Sequence, residues 1–280
     1  MQNHQYGKRS VTVFFIIVTV LSAICEAVYC LGGNENLIAL LMWMPALAAI
    51  IAAHISLKET GTKWSFKNIC SLISLRRAKL RYILLGALIP FVYLLIPYMI
   101  YWHMYPENFA YTGVPFSVIF KDLAVYTVVY VFVGLITALG EELGWRGFMV
   151  PALNERIGLK KTLLVSSLFW CLWHFPILIW GDYMGGTALW YQLLSFVLCI
   201  LPVGVIAGLL RIRSGSVWPA AFLHAAHNAY DQAVFGVITR GDNRMYYVSE
   251  TGMFTIICVW ILGLIVWYVY KKTETKGEGK

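Results

Sequence analysis

The chain is 280 residues long, 60% hydrophobic and only 13% charged, with 11 Trp, 17 Tyr and a mean hydropathy of +0.70. A soluble domain carries roughly 25% charged residues, so the composition excludes a water-exposed globule and makes lipid the solvent. The net charge of +8 and pI near 9.1 would suit nucleic acid, but the basic residues are spread over five short segments with no soluble domain to present them, and that partner is set aside.

Apolar runs of about 20 residues, enough to cross about 30 Å of hydrocarbon at 1.5 Å per residue, occur at 11–31, 37–57, 82–101, 118–147, 162–180, 189–210, 217–236 and 252–270. The fold read from them is all-α and polytopic: a single transmembrane domain over 1–280 with about eight transmembrane helices and a core bundle that carries the active site. The first run follows Lys8 and Arg9 but is long for a signal peptide, and seven more follow, so it is read as retained. The 58–81 loop ends in SLRRAKLRY and is read as a topological anchor, with an interfacial amphipathic helix as the alternative. After Tyr270 a polar tail, 271–280, is expected to be disordered and cytoplasmic.

Charge placement supports the count independently. With eight crossings, the N-terminal tail, the 58–81 loop, the 146–161 loop, Arg211, Arg213 and the C-terminal tail share one side, which holds all of the 22 basic residues except Lys121, Arg240 and Arg244. The positive-inside rule then puts both termini in the cytoplasm of a multi-pass protein in the cell membrane, with membrane lipid as its immediate partner. The six cysteines are scattered and form no CxxC, and they read as small apolar fillers.

Ionisable groups inside the spans carry the functional signal, because each costs several kcal/mol in hydrocarbon unless it is paired or used. They are Glu26, Glu141, Glu142, His174, His224 and His227, with Asp231 near a helix end. Residues four apart share a helix face, so Glu142 and Arg146 are expected to pair, leaving Glu141 without a local partner and free to act as a general base. The competing reading makes both glutamates a staple around Arg146. His174 precedes Pro176, which loosens the fifth span, and His224 and Asn228 lie four apart on the seventh. Such a set can activate water and stabilise an oxyanion, or bind a metal. RSGS at 213–216 and Tyr230-Asp231 are only partial matches to serine and aspartyl intramembrane protease motifs.

Taken together, EExxxR (Glu141, Glu142, Arg146), an aromatic-xxx-His (Trp170, His174) and HxxxN (His224, Asn228), in that order on three spans, resemble the CPBP or Abi family. That family contains CAAX prenyl endopeptidases and bacteriocin-processing or self-immunity proteins. The resemblance covers about 118–236. It departs from the family at Trp170, where Phe is usual, with Phe169 adjacent. It implies an intramembrane endopeptidase acting on a membrane-associated peptide or lipidated protein, with Glu141 and His174 activating water, His224 and Asn228 holding the oxyanion, and Glu142, Arg146 and Trp170 as structural support. It also leaves open a zinc metalloprotease in which Glu141, His174 and His224 are the ligands, although no HExxH is present. A non-catalytic scaffold, bacteriocin-immunity factor or adaptor of the same fold is the alternative outside enzymology. His227 reads as a packing residue. The sequence chooses neither the substrate nor the oligomeric state.

Overall fold

A computed structural model describes residues 5–34 and 36–277. Among these residues the secondary structure is helical, apart from one isolated antiparallel bridge between Phe109 and Thr239. In chain order the helices are α1 (Lys8–Cys30), α2 (Asn36–Leu41), α3 (Met44–Glu59), α4 (Phe66–Leu72), α5 (Leu80–Met104), α6 (Phe116–Glu142), α7 (Val150–Ile157), α8 (Leu159–Trp173), α9 (Phe175–Trp180), α10 (Leu189–Ser214), α11 (Trp218–Asn228) and α12 (Met253–Gly277). Two π-helical segments, Leu143–Met149 and Ala229–Phe235, continue α6 and α11 without a break.

Seven helical stretches among the described residues are long and apolar enough to cross a bilayer: Lys8–Cys30, Asn36–Glu59, Leu80–Met104, Phe116–Ile157, Leu159–Trp180, Leu189–Ser214 and Met253–Glu274. The protein is therefore a polytopic all-α membrane protein. The remaining expected span, 217–236, is present as α11 and its π-helical extension, but His224, His227, Asn228, Asp231 and Gln232 dilute its apolar character. It lies inside the bundle because α5, α6 and α10 pack around it, and their side chains, rather than lipid, bury residues such as Leu223, His224 and His227.

Three local expectations change. The stretch 146–161 is not a loop: Phe116–Ile157 is one 42-residue helical run, and Arg146, counted among the cytoplasmic charges, is 1% exposed within it. In 58–81 the helix is the short α4, capped by Ser65, whose Oγ accepts from the Asn68 amide at 3.1 Å; the basic SLRRAK stretch is non-helical. The tail after Tyr270 is not disordered as far as it is described, since α12 runs helically to Gly277; 278–280 lie outside the described residues.

Close helix approach in a membrane depends on small residues, because lipid tails leave no hydrophobic drive between helices. The glycines of GEELGWRG supply it. A Cβ on Gly144 would sit 2.7 Å from the Pro45 carbonyl oxygen, one on Gly140 2.7 Å from that of Met42, and one on Gly147 would strike that of Ile73. These contacts press the start of α3 and the turn after α4 against the end of α6 and the π-helical segment that continues it. Gly144→Ala is expected to lower stability by about 1–3 kcal/mol through overpacking. Gly134→Ala on the same helix, whose Cβ would meet only the Ala225 carbonyl at 3.8 Å, is expected to be neutral or mildly stabilising. Thermal unfolding of both variants in detergent checks the contrast, and equal melting points would contradict it.

Candidate active site

The site grows from three helix irregularities. Glu141 and Glu142 end α6 immediately before the first π-helical segment, and Asn228 ends α11 immediately before the second. His174 occupies the one-residue break between α8 and α9, where Pro176 enters the first turn of α9. The His174 amide reaches the Cys171 carbonyl at 3.1 Å, a tightened last turn that turns the imidazole off the helix axis.

Glu142 is fully buried, and its Oε1 accepts from Arg146 Nη1 at 2.8 Å on the same helix and from His224 Nδ1 at 3.1 Å on α11. An oxygen accepting from a guanidinium is an acceptor only, so the His224 Nδ1 carries the hydrogen and its Nε2 is the nitrogen left for the cavity. The Arg146 guanidinium also lies over the Trp170 ring, 4.1 Å from its centroid, a cation–π contact strengthened by desolvation.

Glu141 does have partners, which corrects the sequence reading. Its Oε2 accepts from the indole nitrogens of Trp145, one helical turn on, at 3.1 Å and of Trp170 on α8 at 2.8 Å. Both donors are neutral, so they orient the carboxylate without supplying a counter-charge, and Oε1 remains for the cavity. Trp170 thus does what a phenylalanine cannot. His174 donates from Nδ1 to the Trp170 carbonyl at 2.8 Å, since a carbonyl only accepts, and this leaves its Nε2 as an acceptor.

Glu141, His174, His224 and Asn228 line one cavity of about 180 Å³. Its apolar wall includes Ile38, Leu41, Trp173 and Phe196. Four further polar residues line it that the sequence reading missed or set aside: His227, Gln232, Glu250 and Tyr183. His227, read as a packing residue, joins Tyr93 Oη at 2.6 Å and Glu250 Oε1 at 3.0 Å. Glu250 lies outside every apolar run, just ahead of α12, and Tyr183 is one of 17 tyrosines; neither position carries a periodic or motif signal. Glu26 lies apart on α1 in an apolar crevice with Cys30, Pro176 and Trp180, one carboxylate oxygen buried without a partner.

The zinc reading requires three ligand atoms converging on one point. Among the described residues no group of three His, Cys, Asp or Glu side chains is placed to hold a metal. One oxygen of Glu141 is engaged by two indoles and one nitrogen of each histidine by a carbonyl or carboxylate, which leaves Glu141 Oε1 and both Nε2 atoms open to the cavity, as in a ligating imidazole. These donors do not converge on one point as placed, and no step is routed through a metal.

A helical bundle that brings a buried glutamate, two buried imidazoles and a half-buried amide to one cavity has the groups an intramembrane hydrolase needs. Residues 123–230, which carry all of these groups, match the family described as Type II CAAX prenyl endopeptidase Rce1-like. The chain is 27% identical over 272 residues to CAAX prenyl protease 2 of Methanococcus maripaludis, covering 94% of this chain and 95% of that protein. Over residues 123–230 and along most of its length the chain is thus similar to CAAX prenyl endopeptidases, and the two matches indicate an intramembrane protease.

Arg146→Ala would leave Glu142 with His224 alone inside the bundle. Breaking a buried pair from one side costs about 3–5 kcal/mol, so the variant is expected to melt well below the wild type in detergent; an unchanged melting temperature would remove Arg146 from its structural role.

Proposed function

We propose that the protein hydrolyses a peptide bond in a membrane-associated, prenylated peptide or protein, with Glu141 as the general base. The observation that carries this reading is that Glu141, His174, His224 and Asn228, from three separate parts of the chain, line the same cavity. The prenylated substrate class is taken from the name of the relative, CAAX prenyl protease 2.

In this mechanism Glu141 Oε1 takes a proton from water while the water oxygen bonds to the scissile carbonyl carbon, and His174 Nε2 accepts the second water hydrogen and fixes the water. The carbonyl π pair moves onto its oxygen, which is held by the Asn228 amide and by His224. Since His224 Nδ1–H is engaged by Glu142, donation from Nε2 means the imidazolium, and the carboxylates of Glu141 and Glu142 together balance it and Arg146. Collapse restores the carbonyl and breaks the C–N bond, and Glu141 returns its proton to the departing nitrogen. Desolvation by the surrounding helices strengthens every one of these charge interactions.

Glu141→Gln nearly preserves shape and removes the base, so hydrolysis of a prenylated peptide should fall by roughly 10²–10⁴-fold with a normal melting temperature. Asn228→Ala should cost roughly 10²–10³ in rate. Near-wild-type turnover by a folded Glu141→Gln protein would sink the mechanism and leave the adaptor or immunity reading. Metal analysis of the purified protein beside turnover with and without a chelator separates the two hydrolytic routes: stoichiometric zinc and chelator-sensitive turnover would overturn the metal-free one.

We place both termini in the cytoplasm. The basic residues still segregate after Arg146 is moved into the bundle, because the ends of α1, α3, α10 and α12 that carry them stay as expected. A single cysteine introduced at exposed Ala188, between α9 and α10, should react with an impermeant maleimide from outside intact cells; labelling only after permeabilisation would reverse the topology.

A further inference from the structure

The hydrolytic mechanism leaves a buried ionisable group on the cavity wall unused. Glu250 is 3% exposed and His227 2%, and with fully buried Tyr93 they form a hydrogen-bonded chain whose direction is fixed by its ends. Tyr93 Oη meets His227 Nδ1 at 2.6 Å, and His227 Nε2 meets Glu250 Oε1 at 3.0 Å. If Nδ1 carried the hydrogen, the tyrosine hydroxyl would be a buried donor with nothing to donate to, at a cost of about 1–3 kcal/mol. The satisfied arrangement has Tyr93 donating to Nδ1 and Nε2–H donating to Glu250, which makes Glu250 the acceptor.

The loop that carries Glu250 is held as firmly as the side chain. Ser249, in the left-handed region at φ 71°, donates from Oγ to Asp231 Oδ2 at 2.7 Å, and Tyr98 Oη donates to Asp231 Oδ1 at 3.0 Å. Ser249 and Glu250 therefore grip Asp231 and His227, on either side of Asn228. A non-glycine residue in that backbone region costs of order 1–3 kcal/mol, so the turn is kept by these contacts rather than by local preference.

A tetrahedral intermediate of amide hydrolysis has four substituents. Glu141 and His174 serve the oxygen that comes from water, and His224 and Asn228 serve the oxyanion. The acyl carbon needs only the apolar wall. The nitrogen remains, and the remaining carboxylate lining the cavity is Glu250; the other polar groups there, Gln232 and Tyr183, are neutral. We propose that Glu250, oriented by His227 and Tyr93, receives the leaving nitrogen, hydrogen-bonding the scissile N–H and then the amine set free when the C–N bond breaks. At neutral pH that amine takes up the proton released by the new carboxylic acid, and Glu250 pairs with the resulting ammonium. This rests on the hydrolase reading and assigns a subsite within it.

The test is a binding measurement, so it does not depend on turnover. The apolar tripeptide Val-Ile-Met with a free α-amine, and the same peptide N-acetylated, are titrated in detergent against the fluorescence of the cavity tryptophans. Wild-type protein should bind the free amine at least about tenfold more tightly, the scale of one charge-assisted hydrogen bond. E250Q should reduce that preference to about twofold or less at an unchanged melting temperature, without weakening the acetylated peptide. If E250Q does not fold, E250D decides, since retracting the carboxylate by one methylene should lower the preference in the same direction. Equal wild-type affinity for the two peptides, or a preference that survives in the folded variant, overturns the assignment. Absence of hydrolysis by a wild-type protein that still prefers the amine would instead overturn the hydrolase reading alone.

Discussion

A carboxylate inside a membrane bundle must be compensated, and the way Glu142 is compensated organises everything around it. Its Oε1 is shared by Arg146 on its own helical run and His224 on α11, while Arg146 packs flat on Trp170 of α8 and Trp170 turns its indole N–H to Glu141. Four side chains from two helical runs thus close a ring that begins and ends at adjacent glutamates, and His224 ties a third helix to it. A single buried charge is in this way converted into a registration device for α6, α8 and α11, the helices that carry the catalytic candidates. The arrangement is weak evidence of stability for its own sake, because an apolar replacement of similar shape can match a buried ion pair; its contribution is to make one relative placement of three helices far better than the others.

Much of this was legible in the chain because lipid makes charge conspicuous. Glu141, Glu142, His174 and His224 stood out by being ionisable in apolar runs, and the i, i+4 rule assigned Arg146 to Glu142 from spacing alone. Hydropathy located the spans for the same reason. It was least informative for α11, where the functional groups themselves lower the apolar signal. Glu141 was misread as unpartnered because its donors are indoles, one of them on another helix, and a tryptophan in an apolar span reads as packing. Glu250 was invisible because a carboxylate just ahead of a span reads as solvated loop; only the inward turn at Ser249, backed by Asp231, shows otherwise.

Nothing in LGWRGFM or AYDQAVF marks them as π-helical, yet each begins directly after a functional residue. Wider turns are tolerated inside a membrane protein where neighbouring helices bury the backbone or a cavity needs lining. The amide of Gly236 bonds the Asp231 carbonyl at 3.0 Å, the i→i−5 pattern that rotates the downstream residues relative to a regular α-helix. After α6 the change comes beyond both glutamates, and the i, i+4 pairs Glu142–Arg146 and Glu141–Trp145 bridge its start. In α11 it comes after Asn228 and brings Asp231 within reach of Ser249. The π-helical distortions serve the second layer of contacts, those that hold the site residues, while Glu141, Glu142, His224 and Asn228 stay on regular helix and His174 sits at the break between α8 and α9.

Adjacent residues on a helix point about 100° apart, so two neighbouring carboxylates cannot serve the same partner set. Glu142 faces Arg146 and His224. Glu141 faces α8, and its Oε2 accepts indole N–H groups from Trp170 there and from Trp145 on its own helical run. An ammonium or guanidinium in that place would have bound the carboxylate tightly and left it a poor acceptor of a proton; a purely apolar surround would have left it unoriented. Indoles satisfy one oxygen, exclude water from that side and leave the other oxygen facing the cavity, which is the state a general base needs before substrate arrives.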